Sequence, residues 1–499
     1  MFKDIRNLIK HSSIYTFGNF ASKILGILLV PLYTKVIAVE LYGVYSILEV
    51  TQQFLVGILH LGLPNALIRW LSLDEYKEKK ESIIFSVFVS TIFIASFIFL
   101  IIFIFRTQIS QLFFDTTEYT GSLTLVALII GFRLLNRIGL THIRFKEKSL
   151  LFITISISRF FIQLIVTIYL VAFLRVGILG IFGGQLSGEI ISFIFLFPYL
   201  TERYSSRFDF TEIRKMLSYG YPLAFSGISS RILNVGDRYI LGYLSSMKVV
   251  GIYSLGYKFA NLVDTMFIKS FRTAFLPKAW KKLQEENAKR FYAKLLTYFV
   301  FFTFWVALFL SVYAKGIIHL FARNNSYWDA YLIAPIAAFA IAIKGMFSII
   351  KMGMQFKQQT KYIAYIVSTS AVLNILLNFA LIPLYDMIGA ALATIISFTF
   401  MVMAGYFYSN RFYPVKFEWI RIGKIVIAIG IIYFSSYLVN PLPLSARIIA
   451  KLILLLLYPV VLYLLKFYDY FEIKRIWGAW KKWRDPRKWK ENFKDIKLQ

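Results

Sequence analysis

Fourteen apolar runs follow one another along this chain. They lie near 14–38, 43–66, 83–105, 121–140, 152–172, 178–200, 217–243, 249–271, 295–314, 329–350, 362–383, 387–408, 424–438 and 447–465. Most match the length of roughly 20 residues that a helix needs to cross the hydrocarbon core of a bilayer. Lipid offers no hydrogen bonds, so a backbone crossing it must pair with itself. The expected fold class is therefore an all-α integral membrane protein with about fourteen transmembrane helices. Composition closes the alternative: 58% hydrophobic and 16% charged residues over 499 positions leave too little polar surface for a soluble globule. The absence of cysteine excludes a disulfide framework, cysteine metal sites and thiol catalysis. The first run contains Lys23, is too long for a signal h-region and shows no cleavage site, so no cleavable leader is expected.

A net charge of +30 suggests nucleic acid until the cations are located. With the N-terminus placed in the cytoplasm, most Lys and Arg fall in the inner loops and tails and few in the outer loops. That asymmetry sets both termini inside and accounts for the charge with no nucleic-acid partner. The tail from Lys474 to Gln499 carries ten Lys/Arg against three acids, with Trp477, Trp480 and Trp483 three residues apart. A helix lying in the headgroup layer against anionic lipid has this pattern. A solubilising basic tail is the plainer alternative.

The chain is also internally duplicated. Ser22-Lys23-Ile24-Leu25 recurs as Ser230-Arg231-Ile232-Leu233, and Gly43-Val44-Tyr45-Ser46 as Gly251-Ile252-Tyr253-Ser254, both at an offset of 208 residues. Gly180-Ile181 has a weaker echo in Gly389-Ala390. Six spans per copy is an even number, so the copies are parallel, related by an axis along the membrane normal. The expected organisation is an N-lobe (1–210, spans 1–6), a C-lobe (211–415, spans 7–12), appended spans 13 and 14 (416–470) and a basic, Trp-rich interfacial tail (471–499). No loop is long enough for a soluble catalytic domain, and no phosphate-binding loop occurs. The chain reads as a transporter rather than an enzyme.

Polar residues inside spans are costly and point to function. Span 1 aligns Ser12, Thr16, Asn19, Lys23 and Gly26 on one face. Span 2 aligns Glu49, Gln52, Gln53 and His60; span 7 aligns Ser226, Ser230, Asn234, Asp237 and Arg238, with Arg231 beside them; span 8 aligns Tyr257, Lys258, Asn261, Asp264 and Thr265. Four such helices imply a water-filled cavity between the lobes. Lys23, Arg231, Arg238 and Lys258 make it electropositive and suited to a phosphate or pyrophosphate, with Asn19, Asn234, Asn261, Gln52 and Gln53 as further substrate-binding groups. Glu49, Asp237, Asp264 and Glu189 are candidates for coupling Na⁺ or H⁺; no other cofactor and no metal site is expected. Internal pairing competes with each assignment: Arg238 with Asp237, Lys258 with Asp264, Lys23 with Glu49. Arg133, Arg137 and Arg159 are assigned to snorkelling or inner-leaflet lipid at the ends of spans 4 and 5. Lys344 is placed at the cavity entrance, and Asn374 and Asn378 in bonds to neighbouring helices.

Asp237-Arg238-Tyr239-Ile240-Leu241-Gly242 followed by Val250-Gly251-Ile252-Tyr253-Ser254 resembles the seventh-to-eighth-helix signature of the polysaccharide-synthesis transporters. Gln359-Thr360-Lys361, Asn374, Asn378-Phe379-Ala380-Leu381-Ile382-Pro383 and Gly389-Ala390-Ala391-Leu392-Ala393-Thr394 extend the likeness over spans 1–12. These are the Wzx-type flippases of lipid-linked oligosaccharides, relatives of the multidrug and toxin extrusion exporters and the lipid II flippases. The resemblance implies two six-helix lobes around a cavity lined by helices 1, 2, 7 and 8. It implies a polyprenyl-pyrophosphate-linked glycan as cargo, moved to the outer leaflet of a prokaryotic plasma membrane for surface polysaccharide such as O-antigen, alongside polysaccharide polymerase machinery. By the same likeness Lys23 matches the first-helix cavity cation, and spans 13 and 14 resemble the pair that shapes a lipid-tail groove in lipid II flippases. Lipid II flipping, a cation-coupled multidrug antiporter on the same fold, and a membrane glycosyltransferase or polymerase are the competing functions.

Overall fold

In the computed structural model the described residues are 27–201, 208–283 and 285–483. Helices run over every expected span that falls within them. The end of span 1 is α1 (Val30–Val36). Span 2 is α2 (Val39–Leu59), which stops at His60, turns at Gly62 with a left-handed φ of 75°, and restarts over Leu63–Ser72. The first half continues with α3 (Lys80–Ile104), α4 (Thr120–Phe145), α5 (Ser149–Ile168) and α6 (Ile178–Leu200).

The second half starts with α7 (Phe210–Leu244), capped by Asp209, whose carboxylate accepts the Glu212 N–H at 3.0 Å. It is followed by α8 (Met247–Leu262), which passes through a π-helical turn over Val263–Ile268 into Lys269–Lys282. Next are α9 (Ala288–Phe321) and α10 (Ala330–Ile350). Helical backbone over Thr360–Phe412 is two helices, α11 (360–385) and α12 (387–412), separated where Asp386 adopts φ 51° three residues after Pro383. The last spans are α13 (Trp419–Leu438) and α14 (Leu444–Leu456, bent by 42° into Tyr458–Leu464 at Pro459). The surface helix α15 (Tyr470–Trp483) follows.

Among the described residues nine helices are long and apolar enough to cross a membrane, or ten counting the bent pair. Residues 210–244 and 247–282 are fully helical but carry more polar and charged side chains, and are not among the nine. The apolar helices show what solvent they expect. On α3, Ile83, Val87 and Ala95 are buried while Phe93, Phe97, Leu100 and Ile104 stand exposed. A helix apolar on both its packed and its unpacked face belongs in lipid.

Contacts gather the chain into two compact units: Met1–Gln284 with Tyr313–Pro414, and Glu285–Val312 with Val415–Gln499. In the first, α3 packs on α4, and α4 and α5 pack on α6. In its second half α7 and α10 pack on α11–α12, and α8 on α10. The halves meet where α2 packs on both α7 and α8. The second unit joins the first part of α9 to α13–α15. Trp305 donates to the Leu455 carbonyl (3.1 Å), Tyr458 to that of Phe301 (3.3 Å), and Lys451 to that of Val312 (3.2 Å).

Candidate substrate cavity

A cavity of about 790 Å³ opens within the first unit. Seven of the expected site residues line it: Glu49 and Gln53 from α2, Asn234 and Arg238 from α7, Lys258 and Asn261 from α8, and Asp264 from the π turn. Lys23 and Asn19 lie outside the described residues. The lining is broader than the four helices expected. It also takes in α1 (Tyr33), α4 (Arg133), α5 (Ser156, Arg159, Gln163), α6 (Gln185, Ser192), α10 (Lys344) and α12 (Phe398).

On the C-terminal half, the side chain of Arg238 is 9% exposed, with its Nε on Ser254 Oγ (3.2 Å) and its guanidinium 5.2 Å from the centre of the Tyr257 ring. Behind it, buried Asp237 accepts from Tyr253 Oη (2.5 Å) and the Arg238 N–H (2.9 Å), with the guanidinium 3.9 Å away. Asp237 thus holds the base of Arg238 and does not line the cavity. Lys258 sits between tyrosine rings, its Nζ 3.5 Å from Tyr42 Oη and 5.6 Å from the centre of Tyr33. The expected pairing of Lys258 with Asp264 does not form. Asp264 takes Lys269 at 2.6 Å, because the π turn sets residues five apart side by side. Lys344 is inside the cavity, on Asn234 Oδ1 at 2.5 Å and over the Phe398 ring.

Two sites depart from expectation more sharply. Arg231 does not line the cavity: it reaches from α7 to α2, donates to the Gln53 carbonyl at 2.9 Å and lies flat where a Cβ on Gly57 would stand. Arg133 and Arg159 do not snorkel away. Buried Glu189 accepts Arg133 Nε at 2.8 Å and Arg159 Nη2 at 2.6 Å on one carboxylate oxygen, and Asn136 Nδ2 at 2.9 Å on the other. Arg133 also donates to Gln52 Oε1 (2.8 Å), so Gln52 orients a cation from behind the wall rather than facing a ligand. Two guanidiniums on one carboxylate leave a positive excess facing the cavity. With its oxygens occupied by N–H donors, Glu189 acts as a counter-ion here, not as an open cation site. Asn378 donates to Asn374 along α11 (2.8 Å to the carbonyl), so this pair bonds within one helix.

The cavity wall thus carries six cationic side chains (Arg133, Arg159, Arg238, Lys258, Lys269, Lys344) and two acidic ones (Glu49, Asp264) among the described residues. In a low-dielectric surround such an excess attracts anions strongly.

The family described as polysaccharide biosynthesis protein matches residues 33–332. The capsular polysaccharide biosynthesis protein CapF of Staphylococcus aureus is 27% identical over 241 residues, which is 45% of this chain and 59% of that protein. The match therefore spans less than two thirds of that relative. Among solved structures, the lipid II flippase MurJ in an inward closed conformation superposes with a TM-score of 0.75 at 20% identity, covering 90% of this chain and 98% of its own. An inward-facing multidrug resistance MATE family transporter of the MOP superfamily gives 0.63 at 12% identity, over 79% and 94%. These likenesses establish the fold, an all-helical membrane architecture. The family match bears out the resemblance read from the motifs: this chain belongs to the polysaccharide biosynthesis protein family.

Proposed function

We propose that this protein is a flippase, not an enzyme. In this reading it carries a polyprenyl-pyrophosphate-linked oligosaccharide from the cytoplasmic to the outer leaflet of a prokaryotic plasma membrane by alternating access, with both termini cytoplasmic. The observation that carries it is the cationic wall of the cavity, six Lys/Arg against two acids inside an otherwise apolar protein. Its volume of about 790 Å³ lies within the range of small-molecule sites, roughly 300–1,000 Å³. The anionic diphosphate sits among Lys258, Lys344 and Arg238, the sugars against Asn234, Asn261 and Gln53, and the polyprenyl tail stays in lipid. An inside-negative potential assists outward movement of the anion by roughly 2.3 kcal/mol per charge per 100 mV. Glu49 lines the cavity without an ion-pair partner among the described residues, and it is the carboxylate we assign to Na⁺ or H⁺ coupling. A polysaccharide polymerase takes the product, and anionic lipids hold the basic tail. A multidrug antiporter for cationic drugs would need the opposite wall charge.

Charge reversal tests the reading. Lys258→Glu and Lys344→Glu should abolish surface glycan in cells while the protein still inserts at normal abundance. Undiminished surface glycan in both variants removes the cationic-cavity mechanism.

A further inference from the structure

The repeated Gly-aromatic-Ser motif has a structural role that the cavity does not use. Its two copies touch. A Cβ on Gly43 would overlap the Met247 carbonyl, and a Cβ on Gly251 would overlap the Val39 carbonyl. The contact is reciprocal: each glycine lies against the carbonyl four residues before the other. Both pairs, 43 with 251 and 39 with 247, are separated by the repeat offset of 208. Val39 and Met247 are also the first residues of α2 and α8, so the two helices begin at equivalent points and cross there. The axis relating the halves thus passes through the contact. Two backbones this close are held by packing and by Cα–H···O contacts, which only side-chain-free positions permit.

The pair stands at one end of the cavity. Within a turn of it, Tyr42, Tyr45 and Ser46 on α2, and Ser254 on α8, line the wall. Around it the same end is closed by buried neutral groups: Tyr327 donates to the Ile37 carbonyl at 2.9 Å and packs edge-on against Tyr42, and the Arg323 N–H reaches Thr34 Oγ1 at 3.1 Å. At the other end of α2 the halves meet differently, through Gly62 against Gly220, Trp70 Nε1 on Glu212 (3.1 Å), and Arg231 on Gln53 O.

We propose that Gly43 and Gly251 form the reversible seal of the cavity where α2 and α8 begin, and that the lobes part at this contact when the cavity opens to that side. Between the two glycines only backbone meets backbone, with no charge or side-chain hydroxyl, so that contact re-forms without re-pairing buried polar side chains. The inference rests on the transporter reading, but its test uses no cargo and so fails or succeeds separately.

The chain has no cysteine, so Ser46→Cys supplies a single reporter at a position 4% exposed. A membrane-impermeant maleimide is applied to right-side-out and inverted vesicles. Gly43→Leu or Gly251→Leu in the reporter background should raise the labelling rate about tenfold from the face where α2 and α8 begin, and leave it unchanged from the other. Gly316→Leu is the control, since nothing lies within 4 Å of a Cβ there. Should the leucine variants not fold, Gly43→Ala and Gly251→Ala carry the test with a smaller rise in the same direction. Labelling equal to that of the reporter alone, or raised from both faces, overturns the proposal.

Discussion

At the scale of single residues, the firmest electrostatic feature is Glu189 under Arg133 and Arg159. Removing the carboxylate leaves two guanidiniums side by side on the cavity wall, 21% and 33% exposed, at a cost below the roughly 3–5 kcal/mol of breaking a fully buried pair. Glu189→Gln should therefore lower the thermal unfolding midpoint in detergent well below that of Ser187→Ala, whose hydroxyl only returns a bond to the Gly184 carbonyl of its own helix. Equal midpoints would mean that cavity water already solvates the arginines. The ion cluster was only half legible in the sequence. Glu189 stood out as an acid inside an apolar run, but its partners were assigned to the membrane surface by their nearness to span ends. The available signal was periodic: Arg133 with Asn136 on α4, and Gln185, Glu189 and Ser192 on α6, are polar at helical spacing, as are the stripes on α2, α7 and α8. Arg231 misled in the other direction. Its place in the repeat was readable, but the room made for it by Gly57 depends on which helix packs opposite, and a single chain of letters does not carry that.

Among the elements, the α11–α12 junction falls in the gap between the apolar runs at 362–383 and 387–408, but its strain is not legible there. Asp386 holds φ 51° and ψ −130° in an exposed turn, a conformation that glycine adopts without cost. Asp386→Gly should raise stability by about 1 kcal/mol and Asp386→Val should lower it, measured by thermal unfolding. If Asp386→Gly is destabilising, the aspartate side chain supports the turn in a way its exposure conceals.

Of the basic tail, 484–499 lie outside the described residues, and α15 covers Tyr470–Trp483, with Tyr470, Phe471 and Trp477 exposed. What fastens it was not visible in sequence. Glu472 pairs with Arg421 of α13 at 2.7 Å, accepts from the Tyr298 hydroxyl and the Asp469 N–H, and meets Lys294 at 3.2 Å. Burial opposes its charge, but those donors win and hold its carboxyl down at about 2. A folded value below the unfolded one, roughly 4.3, means the contribution is complete above that pH and is lost as pH falls from there towards 2. Hydrogen exchange over 470–483 should be equally protected at pH 7 and pH 5, lose protection below about pH 4, and lose that pH step in Glu472→Gln. Protection persisting in acid would assign the docking to packing alone.

For the whole molecule, hydropathy and the 208-residue repeat carried most of the fold, because lipid removes nearly every backbone choice but the helix. The orientation proposed above rests on the cation asymmetry and is open to direct test. A C-terminal green fluorescent protein fusion should be fluorescent and an alkaline phosphatase fusion inactive; the reverse result overturns the assignment of both termini to the cytoplasm. Sequence order was a poorer guide to compaction. The first part of α9 belongs to the same unit as Val415–Gln499, a grouping set by packing between segments more than a hundred residues apart. The interruptions of α2 and α8 also belong to this scale. Under the repeat offset His60 corresponds to Ile268, so the stop before Gly62 and the widened turn over Val263–Ile268 adjoin at one depth in the two halves. A left-handed turn at a glycine packed against Gly220 and a π turn that keeps a helical ladder are two different ways to break a span. Ancestral symmetry therefore survives in where the two joints sit but not in how each is built.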